Sequence, residues 1–157
     1  MEMSDGKYCL GANNWDYKAY LGASVKSLYI TWTKDYDLGI PIIDEQHRGV
    51  VTAINSLFYY MQYERGMEAL NPTLRILDEY RLLHFETEEE IMKQYNYSDF
   101  DTHVILHRQF DKNMDYVMRE SMALSDPQAV LSFLKKWWLS HINNEDRKYS
   151  TYIVSKS

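Results

Sequence analysis

The positions of five histidines constrain this chain more than any other feature. His47, His84, His103, His107 and His141 fall in four stretches whose apolar residues recur every three or four positions, the period of one helix face. The first stretch, Asp44 to Tyr63, carries Val50, Val51, Ile54, Leu57, Phe58 and Met61, and Gly66 just beyond it reads as a helix stop. The second opens at Asn71-Pro72, a cap residue followed by proline at the first helical position, and runs through Leu74, Leu77, Leu82, Leu83 and Ile91 to about Tyr95. Ser98 with Asp101 resembles a capping box, with Asp in place of Glu, ahead of Val104, Ile105, Phe110, Met114 and Val117. Asp126-Pro127 repeats the cap-plus-proline signature before Val130, Leu131, Phe133, Leu134, Trp137, Trp138 and Ile142. With only 6 Gly and 3 Pro in 157 residues, long helices are favoured over many short strands. The expected fold is all-α, an antiparallel up-down-up-down four-helix bundle over residues 31–157. An aromatic-rich N-terminal arm precedes it over 1–30, with Trp15, Tyr17, Tyr20 and Tyr29, expected to pack on the bundle or on a partner.

Several function classes drop out on composition. Acidic residues outnumber basic ones 23 to 17, for a net charge of −6, the wrong sign for a general nucleic-acid binder. A single cysteine, Cys9, excludes an internal disulfide framework and any thiolate-based zinc or iron–sulfur site. No stretch approaches the roughly 20 apolar residues of a membrane span, so no membrane insertion is expected. The opening MEMSDGKYCLG has no basic-then-apolar leader pattern, which makes the cytoplasm the expected location.

The histidine spacing carries the chemistry. His103 and His107 are four apart and project from one helix face, so they can bind a single metal side by side. His84 and Glu88 share that spacing. His141 and Asp146 are five apart, about 140° around an ideal α-helix, and converge only if the helix widens locally, as in a π-bulge. A single histidine on a helix is most often an ordinary core or surface residue. Five of them confined to four helices are different, because each buried imidazole without a metal would require its own polar partners. Five imidazoles and two carboxylates exceed the needs of one closed tetrahedral zinc and suit two six-coordinate irons. If Glu88 and Asp146 both bridge, together with an oxo or hydroxo group, the metal with three histidines has six ligands and the other has five. One position is then left for a small diatomic ligand.

The pattern H47 … H84-x-x-x-E88 … H103-x-x-x-H107 … H141-x-x-x-x-D146 resembles that of the hemerythrins. The flanking GIPIIDEQH, the H-F-x-x-E-E of the second helix and the aromatic run before His141 are similar to the bacterial branch of that family, from about Trp32 to Tyr152. The resemblance implies that His103, His107 and His141 bind one iron, that His47 and His84 bind the other, and that Glu88 and Asp146 bridge. It implies a pocket wall of Phe85, Phe110, Trp137, Ile142 and Tyr149. Trp138 stands where the family usually has leucine, and its larger ring either narrows the pocket or turns outward. The implied function is reversible dioxygen binding at a non-haem di-iron centre, as carrier, store or sensor, rather than enzymatic catalysis. The excess of neutral imidazoles over carboxylates agrees, since imidazoles stabilise high-valent iron less. The alternatives are a di-iron enzyme acting on peroxide or nitric oxide, a redox- or oxygen-sensing module with the arm as its contact to a protein partner, and metal handling without dioxygen chemistry.

Overall fold

The computed structural model describes residues 28–156, and every regular element among them is helical. Helix α1 spans Pro41–Met61, α2 Gly66–Gln94, α3 Phe100–Leu124 and α4 Pro127–Ser140. A six-residue π-helical segment, His141–Asp146, follows α4 without a break and leads into α5, Arg147–Val154. These last three pieces form the fourth rod of an antiparallel four-helix bundle. A single 3₁₀ turn, Lys34–Tyr36, precedes the bundle.

Each helix buries one stripe. On α1 it runs Ile43, His47, Val50, Ile54, Leu57; on α2, Leu70, Leu74, Leu77, His84, Glu88, Met92. The expected ligands therefore lie on the same faces as the core, and core burial carries them inward. Along α2 the larger apolar cluster reaches Phe85, and a smaller one of Met92, Tyr149 and Ile153 begins a turn beyond Glu88. Leu82, Leu83 and Ile105, expected in the apolar stripes, are exposed because they sit off those faces.

The helix boundaries correct four sequence expectations. Helix α1 begins at Pro41 rather than Asp44. Asp44 sits in the first turn, where its carboxylate accepts the backbone N–H of Leu38 at 2.7 Å and of Gly39 at 3.2 Å. Gly66 does not stop α1; it opens α2, and the reversal between them is made by Glu64 in the left-handed region at φ 58°. A Cβ on Gly66 would lie 2.6 Å from Met61 Cγ and 2.9 Å from Pro127 Cγ, so close packing explains this glycine. Pro72 lies inside α2, not at its start, because the chain is already helical over 66–71. The capping box at Ser98 and Asp101 does not form; the N-cap is Asp99, with no side-chain bond, and its carbonyl accepts His103 N–H. Asp126-Pro127 behaves as expected, with Asp126 accepting the backbone N–H of Gln128 at 2.9 Å.

Most of the stretch expected as an arm lies outside the described residues. Its last residues pack on the bundle: Tyr29 stacks on Phe58, and Ile30 is buried with both backbone groups bonded to the Asn55 amide at 2.9 and 2.8 Å. Pro72 has no N–H to give the carbonyl of Glu68 and is exposed, so no packing opposes its replacement. Pro72→Ala should stabilise the protein by about 1–2 kcal/mol in denaturant unfolding, the restored hydrogen bond exceeding the entropy gained by the unfolded chain.

Candidate metal centre

The fourth rod decides the geometry. In a π-helix the bonds run from i to i+5, so residues five apart share a face. The segment His141–Asp146 is one such turn, and it brings His141 Nε2 to 3.1 Å from Asp146 Oδ1. The widening required by the spacing of these two residues is present at the residues that need it.

All seven expected ligands converge at the centre of the bundle. They form two groups, Glu88 with His103, His107 and His141, and Glu88 with His47, His84 and Asp146, each within 4.8 Å. Each carboxylate faces both halves. Glu88 Oε2 lies 3.0 Å from His107 Nε2 and 3.6 Å from His103 Nε2, while its Oε1 lies 3.6 Å from His84 Nε2. Asp146 Oδ1 lies 3.1 Å from His141 Nε2 and 3.4 Å from His103 Nε2, while its Oδ2 lies 3.4 Å from His47 Nε2. The Nε2 atoms of all five histidines, Glu88 Oε2 and both Asp146 oxygens are buried without a hydrogen-bond partner. Orphaned lone pairs pointing at one volume are costly unless cations fill it. This donor set, nitrogen with carboxylate oxygen, fits a non-haem iron site.

The protonation states of His84, Glu88 and Asp146 suit the same purpose. Burial lowers the pKa of His84 from 6.5 to about 4, which keeps its imidazole neutral with a lone pair free. Burial opposes ionisation of Glu88, but the imidazoles of His84, His103 and His107 outweigh it and hold the carboxyl well below its usual range. Burial and the Glu88 charge oppose ionisation of Asp146 too, yet His141 and His47 keep it ionised. His141 moves the other way, because the charge of Asp146 more than offsets its burial. Tyr149 donates its hydroxyl to Glu88 Oε1 at 2.7 Å, and burial beside two carboxylates raises its pKa well above 10.

Of the residues expected in the pocket wall, Phe85, Trp137 and Tyr149 touch the cluster directly. Phe85 stacks flat on His107 at 3.7 Å between ring centroids, and Trp137 stacks on His141 at 5.1 Å. Phe110 packs against both Phe85 and Trp137. Ile142 and Tyr149 are fully buried. Trp138 turns inward: it is fully buried, its ring meets His47 edge-on at 5.4 Å, and Trp32 and Tyr36 cover it from outside. Its indole Nε1–H has no partner. Surface recesses of about 660, 310 and 60 Å³ reach His107, His141 and His103 respectively, and His47 and His84 line none of the three.

Sequence reasoning missed the groups that hold the outer imidazole nitrogens. His84 Nδ1 lies 3.1 Å from Gln46 Oε1, and His107 Nδ1 lies 3.2 Å from Glu89 Oε1. With each Nε2 facing the cluster, both Nδ1 atoms are assigned the proton and donate. In sequence, Glu89 and Glu90 read as a solvated charge run beyond Glu88; the structure corrects that for Glu89, whose side chain is only 25% exposed. No local spacing signals either contact, since the partners lie 38 and 18 residues apart.

Comparison with known proteins gives a consistent picture. Residues 38–153 match the family model described as the hemerythrin HHE cation binding domain. The chain is similar to proteins named bacteriohemerythrin: from Stenotrophomonas maltophilia at 26% identity, covering 79% of this chain and 81% of that one; from Pseudomonas aeruginosa PAO1 at 29%, covering 77% and 79%; and from Clostridium acetobutylicum at 29%, covering 75% and 96%.

The pKa of His84 has a consequence for the metal-free protein. As pH falls below 6.5 the unfolded chain takes up this proton while the folded one does not until about 4. Stability is therefore lost across that window, by up to about 3 kcal/mol, while the raised pKa of His141 contributes its opposing gain above pH 6.5. Denaturant midpoints of chelator-treated protein should fall between pH 6.5 and pH 5, and a flat profile would contradict the burial of a neutral His84.

Proposed function

The chain belongs to the hemerythrin family, in its bacterial branch, and from that premise we propose that it holds two non-haem irons and binds dioxygen reversibly at one of them. His103, His107 and His141 would hold one iron and His47 and His84 the other, with Glu88 and Asp146 shared between them and an oxo or hydroxo group completing the set. The observation that carries this reading is the disposition of the two carboxylates, each with one oxygen toward the three-histidine half and one toward the two-histidine half. Two bridges of that kind suit two metals and are superfluous for one. Bound there, two irons would supply neighbouring one-electron centres, and the half with only two histidines would leave room for a small ligand.

The chain's own residues favour binding over turnover. Five neutral imidazoles against two carboxylates leave the pair of metals less electron-rich than a carboxylate-dominated bundle would. Phe85 and Trp137, stacked on His107 and His141 and backed by Phe110, leave those two imidazoles almost wholly buried, which limits contact of the centre with water. Tyr149 keeps its proton on its hydroxyl and fixes the Glu88 carboxylate by donating to Oε1. Trp138 packs on His47 and covers that side, so a small ligand approaching the two-histidine half there would meet an indole. Dioxygen is the ligand proposed, with nitric oxide and peroxide small enough to compete. None of the described helices is long and apolar enough to cross a membrane, and we propose a carrier, store or sensor working in the cytoplasm.

Iron analysis should find two irons per chain, and His103→Ala or His107→Ala should lose iron and lower the thermal midpoint. A visible spectrum of the reduced protein should gain a charge-transfer band in air and lose it on degassing. Direct passage to the oxidised form, with no reversible band, would favour the enzyme acting on peroxide or nitric oxide. Trp138→Leu should cost about 2–4 kcal/mol through the space it leaves and speed oxygen release several-fold in stopped flow. An unchanged release rate would remove the indole as a barrier.

A further inference from the structure

The two halves of the centre differ in what holds their outer imidazole nitrogens. His84 donates Nδ1–H to a neutral amide, Gln46, which is buried and in turn donates to Thr87 Oγ1 at 3.1 Å. His107 donates Nδ1–H to a carboxylate, Glu89. Phe85, stacked at 3.7 Å and 5° from parallel, holds the His107 ring from turning away. Glu89 and His107 both line a surface recess of about 660 Å³ between α2 and α3. One imidazole of one half is thus tied to a buried neutral amide, and one of the other half to a partly buried carboxylate at the edge of that recess.

A carboxylate that accepts from a metal-bound imidazole draws the N–H proton away from the ring and makes the opposite nitrogen a stronger donor. A stronger donor favours the higher oxidation state of the metal it binds. A neutral amide oxygen accepts the same bond with far less effect, because it brings no charge. We propose that Glu89 is a positioning residue, acting through His107, that makes the metal held by His103, His107 and His141 the more easily oxidised of the two. This rests on the two-iron reading above. It assigns the three-histidine metal as the first to give up an electron when the reduced centre is titrated without oxygen.

The test is an anaerobic redox titration of the iron-loaded full chain, alongside zinc affinity of the metal-free chain measured by chelator competition. Glu89→Gln keeps the shape and an acceptor oxygen but removes the charge. It should raise the first oxidation potential by about 59 mV, a tenfold change in ferric over ferrous preference. It should also weaken the tighter bound zinc about tenfold, with two irons and the helical content retained. Glu90→Gln makes the same charge change in the same recess without touching His107, and should move neither quantity. Unchanged values in Glu89→Gln, or an equal shift in Glu90→Gln, would overturn the role of Glu89. A wild-type chain holding fewer than two irons would overturn the two-iron reading itself, which separates the two failures.

Discussion

The structure depends on one electrostatic constraint: two ionised carboxylates and five imidazoles share an interior where the five Nε2 atoms and three of the four carboxylate oxygens lack hydrogen-bond partners. Such groups cost several kcal/mol each when left uncompensated. Positive charge at the centre would remove that cost, so metal binding there would be coupled to folding. The helix faces, the widened turn and the outer hydrogen bonds all serve to hold lone pairs on a common volume. Removing one ligand leaves the remaining buried groups uncompensated, so the effect reaches stability as well as affinity.

Around that centre the protein is not symmetric. The two-histidine side is sealed by Trp138, and Trp138 by Trp32 and Tyr36. That outer layer is itself tied down. Asp37 accepts from both the Trp32 indole at 3.1 Å and Arg48 at 2.6 Å, the Arg48 guanidinium lies over the Trp32 ring, and Arg147 donates to backbone carbonyls of the same loop. The three-histidine side is thinner, with recesses reaching each of its imidazoles. A dry side suits an open coordination position, and a side in touch with solvent suits exchange of charge with the surroundings.

Much of the fold was legible because its signals are local or periodic. Buried stripes on all four rods follow the three-and-four spacing, and Asp126-Pro127 caps as its residue types dictate. The failures were also local signals, but ones overruled by packing. Pro72 looked like a helix start, yet α2 begins at Gly66, where closeness to Met61 and Pro127 requires a residue without a side chain. Leu82 and Leu83 are apolar but fall off the buried face.

The sequence by itself determined the all-helical architecture, the family and the seven residues that meet at the centre, because ligand spacing is written in helical repeats and each ligand rides on an apolar stripe. Even the local widening at His141–Asp146 was legible, since a five-residue spacing cannot converge on a regular α-helix. Only the tertiary structure decided which oxygen of each carboxylate faces which half, that Trp138 turns inward, and that Glu89 and Gln46 hold the outer nitrogens of His107 and His84. Those contacts join residues on different helices, and their geometry depends on how the helices rotate and cross, which no spacing along one helix records.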